Sequence, residues 1–110
     1  MKEKEIIKET AKEAKYPDAL PVVEKKFTVN NKLGLHARPA SLFVRTANKY
    51  ECDFIVQKGK QKVNGKSIMG IMMLAAGPGS RIIIKAIGSD AKKAMDELTK
   101  LFEDNFGEKE

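Results

Sequence analysis

The chain holds a single histidine, in the stretch "NKLGLHARPASLFV" at residues 31–44. His36 follows Gly34 and Leu35, and Arg38 and Pro39 come directly after Ala37. Proline is tolerated in the first turn of a helix, where a missing N–H costs nothing, so His36 is expected where a loop becomes a helix. Such a place presents unpaired backbone N–H groups and partial positive charge. It disfavours an imidazolium and leaves a ring nitrogen with its lone pair. It also suits an anion, so a phosphoryl group added to the ring, most simply at Nδ1, would meet donors already aimed at it. Arg38 would add charge-assisted hydrogen bonds to phosphate oxygens. Gly34 lets the preceding backbone approach its neighbours closely. These residue types suit a nucleophile that is phosphorylated and then gives the group away. The competing account is a histidine kept only for structure, the common fate of a lone imidazole.

A second stretch, "NGKSIMGIMMLAA" at residues 64–76, also opens a helix. Ser67 is expected as its N-cap, a role worth about 1 kcal/mol over alanine. A phosphate on that hydroxyl would be electrostatically welcome at the same amides, so capping and phosphorylation are compatible.

Composition narrows the function classes. The 110 residues are 42 % apolar, carry a net charge of +6 and have a sequence pI near 9.4. The surplus attracts acidic partners of any kind. No apolar run approaches the roughly 20 residues that span a bilayer, and the N-terminus alternates charges where a signal peptide needs an apolar region. No membrane association is expected, and the lone Cys52 fits a reducing, cytoplasmic setting. One cysteine and one histidine make no zinc ligand set, and no metal or other cofactor is expected. No paired carboxylates or nucleotide loop accompany His36, which argues against a self-sufficient enzyme. The rival class is a small basic nucleic-acid-binding domain with a structural histidine. It would need aromatics for base stacking, and there are five Phe, two Tyr and no Trp.

The elements that must position His36 follow from periodicity. Residues 1–26 form an N-terminal extension. Its first part is helix-permissive but marginal, with Lys4, Lys8 and Lys12 on one stripe and Glu5, Glu9 and Glu13 on the next. Pro17 and Pro21 then read as an extended linker. The compact domain spans residues 27–110. "KFTVN" alternates as a strand; "ARPASLFVRTANKY" is a helix with Ala40, Phe43, Val44 and Ala47 inward; "CDFIVQ" is a strand burying Cys52, Phe54 and Val56. "QKV" is a short strand, "SIMGIMMLAA" a short helix, and "SRIIIKAI" a β-branched strand. The last helix is capped by Ser89 or Asp90 and carries Ala94, Met95, Leu98, Leu101 and Phe102 on one stripe. The order is β-α-β-β-α-β-α. This predicts an α/β (α+β) two-layer open-faced sandwich, with a four-stranded antiparallel sheet covered on one face by three helices.

Apolar residues surround the helix after Ser67. Ile71 and Leu74 are assigned to the core, and Ile68, Met69 and Met72 to an exposed patch able to adapt to several partners. Arg38, Arg45 and Lys49 share one face and would make a basic rim around that patch, as a transient docking site for acidic proteins requires. Lys58, Lys60, Lys62 and Lys66 are expected to be plainly solvated. The molecule is expected to act as a monomer.

Together, "LGLHARPAS" and "NGKSIMGIMMLAA" resemble the HPr family of histidine-containing phosphocarriers in the bacterial phosphoenolpyruvate-dependent phosphotransferase system. The likeness runs from about Phe27 to the final helix. It implies the same β-α-β-β-α-β-α sandwich. It implies that His36 takes a phosphoryl group from phosphorylated Enzyme I. The group then passes to the A-domain of a sugar-transporting Enzyme II or of a nitrogen-branch equivalent. Arg38 would assist at the phosphate, and Ser67 would be the target of a regulatory serine kinase/phosphorylase. The segment before Phe27 has no counterpart in a typical member. Leu33 falls where the family varies and would bear on partner choice.

Overall fold

Phe27, Phe54, Val56, Ile82, Ile84 and Ala86 are buried at alternate strand positions, so the helices cover that face of the sheet. The computed structural model describes residues 20–108. Strands β1 (Val22–Thr28), β2 (Asp53–Lys58), β3 (Gln61–Asn64) and β4 (Arg81–Ile87) alternate with helices α1 (Ala37–Ala47), α2 (Ile68–Met73) and α3 (Ala91–Glu103), and a single turn of 3-10 helix (Asn105–Gly107) follows. The sheet order is β1-β4-β2-β3, with every neighbouring pair antiparallel. Chain-adjacent β1 and β2 are therefore parallel to each other, joined by the α1 crossover, with β4 filling the slot between them. The register brings Phe27 opposite Ile82, Ile84 opposite Val56 and Ala86 opposite Phe54. All six are buried on the covered face. Glu24, Lys26, Thr28, Arg81 and Asp53, at alternate positions, are exposed. From the helices come Ala40, Phe43 and Ala47, then Ile71, then Ala91, Ala94, Met95, Leu98 and Phe102. This is the expected two-layer sandwich.

Several expectations need correction. The first strand begins at Val22, so residues 22–26, taken for linker, belong to the sheet, and Val22 pairs with Ile87. Pro21 stands just before the strand, where its missing N–H interrupts no ladder bond, and its carbonyl accepts from Gly88 N–H at 2.9 Å. The helix expected in residues 2–15 lies outside the described residues. Val44 and Leu101 are only partly buried. Asp90 stands at the N-cap of α3, but its carboxylate makes no cap bond there. Instead it accepts from the backbone N–H groups of Glu51 and Cys52, each at 2.9 Å, and so fastens the start of α3 to the entry of β2. Those backbone donors, Glu51 first, hold the Asp90 carboxyl below the usual range. Burial, then Asp90, pushes the Cys52 thiol up to about 12, so it is an inert core group. Lys58 and Lys66 are not simply solvated. Lys58 Nζ donates to the carbonyls of Leu74 and Ala75, both at 3.1 Å, and Lys66 Nζ to that of Tyr50 at 2.6 Å. The first of these satisfies carbonyls that the end of α2 leaves open.

Gly34 is where the chain turns into the His36 loop. Its φ is +70°, and an added Cβ would stand 2.4 Å from the Ala76 carbonyl oxygen. The close approach is used: Leu35 N–H donates to that same oxygen at 2.8 Å. Gly59 has a similar φ of +60° with open space around it. Gly59→Ala is thus expected to cost about 1–2 kcal/mol, the left-handed penalty alone. Gly34→Ala should cost more, about 3 kcal/mol or above, because a backbone clash adds to that penalty. Urea titration of both variants checks the difference; equal losses would mean that the loop at residue 76 yields freely.

Candidate functional site

His36 is the N-cap of α1, with extended backbone (φ −79°, ψ −170°). Its carbonyl accepts the first helical bond, from Ala40 N–H at 2.9 Å, while its side chain makes no cap bond. Helix geometry leaves the N–H groups of Ala37 and Arg38 without intrahelical acceptors, and Pro39 has none to satisfy. The imidazole is about one-third exposed, enough for a partner to reach it.

Two residues that the sequence did not single out complete the site. His36 Nε2 lies 2.9 Å from Glu108 Oε2. The other carboxylate oxygen, Oε1, accepts from Asn31 Nδ2 at 2.8 Å, and the same amide nitrogen donates to the Asn105 carbonyl at 2.8 Å. Asn31 is buried, one of few polar side chains in the interior. Its donation, foremost, holds the Glu108 carboxyl below the usual range, with the neighbouring His36 and Arg38 acting the same way. The chain reaches His36 after α3 through Asn105, Phe106 and Gly107, all left-handed at φ 49°, 56° and 73°. Phe106 is buried and meets Phe102 edge-on, with ring centroids 4.9 Å apart. The available signal was Phe106–Gly107 just past a helix end, a pattern of chain reversal. Nothing in it named His36 as the destination.

Around this centre the sequence-derived candidates fall unevenly. Arg38 and Arg45 are exposed on α1. Lys49, placed in the same rim, instead pairs with Glu97 of α3 at 2.6 Å. Ser67 caps α2, its hydroxyl accepting from Gly70 N–H at 3.0 Å. Ile71 and Leu74 are buried, while Ile68, Met69 and Met72 are exposed, Met69 by 69 %. Met73 and Leu33 join them, Leu33 being 70 % exposed. A cavity of about 270 Å³ connects Leu33, Leu35, His36, Met72 and residues 75–77, so apolar surface reaches the imidazole edge. All five phenylalanines are buried, and the Tyr50 hydroxyl is tied to Glu97. Among the described residues no aromatic platform for stacked bases exists, so the nucleic-acid alternative lacks the stacking surface it would need.

An open-faced sandwich that holds one accessible histidine at a helix start, flanked by an arginine and an apolar patch, has the form of a histidine phosphocarrier. The family model described as "PTS HPr component phosphorylation site" matches residues 23–104. The phosphocarrier protein HPr of Neisseria meningitidis is 44 % identical over 89 residues, covering 81 % of this chain and 100 % of that protein. The crystal structure of HPr from Thermoanaerobacter tengcongensis superposes with a TM-score of 0.77 at 45 % identity, covering 80 % of this chain and 99 % of that one. A crystal structure of an HPr dimer from the same organism matches at 49 % identity and a TM-score of 0.64, covering 73 % and 92 %. The chain belongs to the HPr family of the phosphotransferase system, and is a phosphocarrier rather than a catalyst in its own right.

Ser67→Ala removes the side-chain N-cap of a six-residue helix. It should lower stability by about 1 kcal/mol, read from the denaturation midpoint with an unchanged slope. No loss would mean that the apolar contacts of Ile71 hold α2 unaided.

Proposed function

We propose that His36 accepts a phosphoryl group through Nδ1 from phosphorylated Enzyme I and passes it to the A-domain of a sugar-transporting Enzyme II or a nitrogen-branch counterpart. The observation that carries this is the His36 ring, about one-third exposed at the start of α1, beside Arg38 and the first-turn amides that have no intrahelical acceptor. Nδ1 attacks phosphorus as the donor's bond to it breaks, and the transferred oxygens meet the amides of Ala37 and Arg38 and the guanidinium. Ile68, Met69 and Met72, with Leu33, form the apolar centre of the docking surface, and Arg38 and Arg45 its basic rim. Lys49 takes a smaller part, because Glu97 already neutralises it. The chain acts in the cytoplasm as a monomer, so that the patch beside His36 stays open to successive partners.

With purified Enzyme I and phosphoenolpyruvate, wild type should take up acid-labile phosphate and His36→Ala none. Arg38→Ala should fold normally and accept the group about ten- to a hundredfold more slowly, the rate equivalent of hydrogen bonds from a charged donor. Labelling of His36→Ala at the wild-type level would sink the assignment.

Ser67 is also the proposed target of a regulatory serine kinase/phosphorylase. A phosphate there adds roughly two negative charges at an N-cap that tolerates them. An acidic partner approaching Arg38, Arg45 and Met69 would meet repulsion, and rim charges act chiefly on association rate. Ser67→Asp should therefore be phosphorylated at His36 more slowly than wild type, the gap narrowing as salt rises, while Ser67→Ala keeps the wild-type rate. Equal initial rates for all three at low salt would reduce Ser67 to a helix cap.

A further inference from the structure

We propose that Glu108 is a positioning residue for phosphotransfer: clamped by Asn31 against His36 Nε2, it fixes the tautomer that leaves Nδ1 nucleophilic and balances the charge the ring acquires. This rests on His36 being the phosphoryl acceptor.

Three separate features support it. The first is the contact itself, Nε2 to Oε2 at 2.9 Å. An ionised carboxylate only accepts hydrogen bonds, so a proton sits on Nε2, and in the neutral ring Nδ1 then carries the lone pair. The second is the clamp. Asn31 is buried, and its amide nitrogen bonds both Glu108 Oε1 and the Asn105 carbonyl, fixing the carboxylate and the turn that delivers it. The third is the backbone. Asn105 and Phe106 are non-glycine residues at φ 49° and 56°. Such conformations persist only where the surroundings impose them, here through the buried Phe106 ring and the Asn31 bond. What this costly turn achieves is the return of the chain to His36.

The chemistry balances. The Nδ1 lone pair forms the new N–P bond as the donor's bond to phosphorus breaks and its electron pair returns to the donor. The His36 ring, still protonated at Nε2, is then an imidazolium, and Glu108 lies against that proton. In the onward step the N–P bond breaks towards the acceptor and its electron pair returns to the His36 ring. A ring that retains the Nε2 proton is the better leaving group, so Glu108 keeps the phosphoryl group transferable.

The test compares wild type, Glu108→Ala and Glu108→Gln as full-length chains. Nitrogen-15 spectra of the unphosphorylated ring should show protonated Nε2 and unprotonated Nδ1 in wild type, and the two shifts should converge in Glu108→Ala. The acceptance kcat of both variants should fall about tenfold, the lower end of what partners that orient a working imidazole contribute, with KM for Enzyme I unchanged. The phosphohistidine of both should hydrolyse severalfold more slowly. A merely structural arm would lower the melting temperature and leave the ring shifts, the kcat/KM split and the phosphohistidine lifetime where they were; that result overturns the proposal. If wild type itself takes no phosphate, the carrier reading falls, and the ring shifts alone then decide whether Glu108 sets the tautomer.

Discussion

Phe102 is where the parts of this molecule meet. Its ring stacks on Phe27 of β1 at 4.2 Å, stands edge-on to Phe43 of α1 at 6.3 Å, and edge-on to Phe106 of the terminal turn at 4.9 Å. One side chain thus joins the first strand, the helix that begins at His36 and the turn that carries Glu108. Aromatic pairs in these geometries contribute beyond their buried area, and their angular preferences set orientation as well as distance. If that cluster loosened, α1 and the terminal turn would move independently, and the 2.9 Å contact between His36 and Glu108 could not be held.

The covered face of the sheet does the rest of the positioning. Since all three helices lie on one side, α1 and α2 pack as neighbours, and the surplus apolar surface of α2 emerges beside His36 rather than across the molecule. The loop at residues 75–77 closes on Gly34, so the backbone just before His36 is seated by the segment that follows the helix supplying Met72. A carrier must be recognised by unlike partners at one spot. A small apolar patch with a cationic border and a reactive ring at its edge meets that demand without a deep pocket.

Local features were legible in the sequence, and features made by distant segments were not. Alternation in "KFTVN" and "SRIIIKAI", helical spacing in α1 and α3, and the capping serine of α2 each depend on neighbours within a few positions, and each appears in the structure. The start of β1 was obscured because Pro17 and Pro21 are turn signals, whereas Val22 is drawn into the sheet by Ile87, far along the chain. Asp90 looked like a helix cap because local rules name caps; its acceptor role towards Glu51 and Cys52 depends on where β2 begins. Lys49 looked like a free rim cation until α3 brought Glu97 to it. The pairing of Asn31 with Glu108 joins opposite ends of the domain through a turn of left-handed residues, and nothing in the spacing of either announces it.

The central claim is that a single ring nitrogen, Nδ1 of His36, carries the phosphoryl group while Nε2 faces Glu108. The most direct measurement is phosphorus-31 and nitrogen-15 spectroscopy of the full-length chain, labelled at histidine and phosphorylated with Enzyme I and phosphoenolpyruvate. The account predicts one phosphorus resonance, coupled to Nδ1 of His36. Coupling to Nε2, or phosphate found on a residue other than His36, would contradict it.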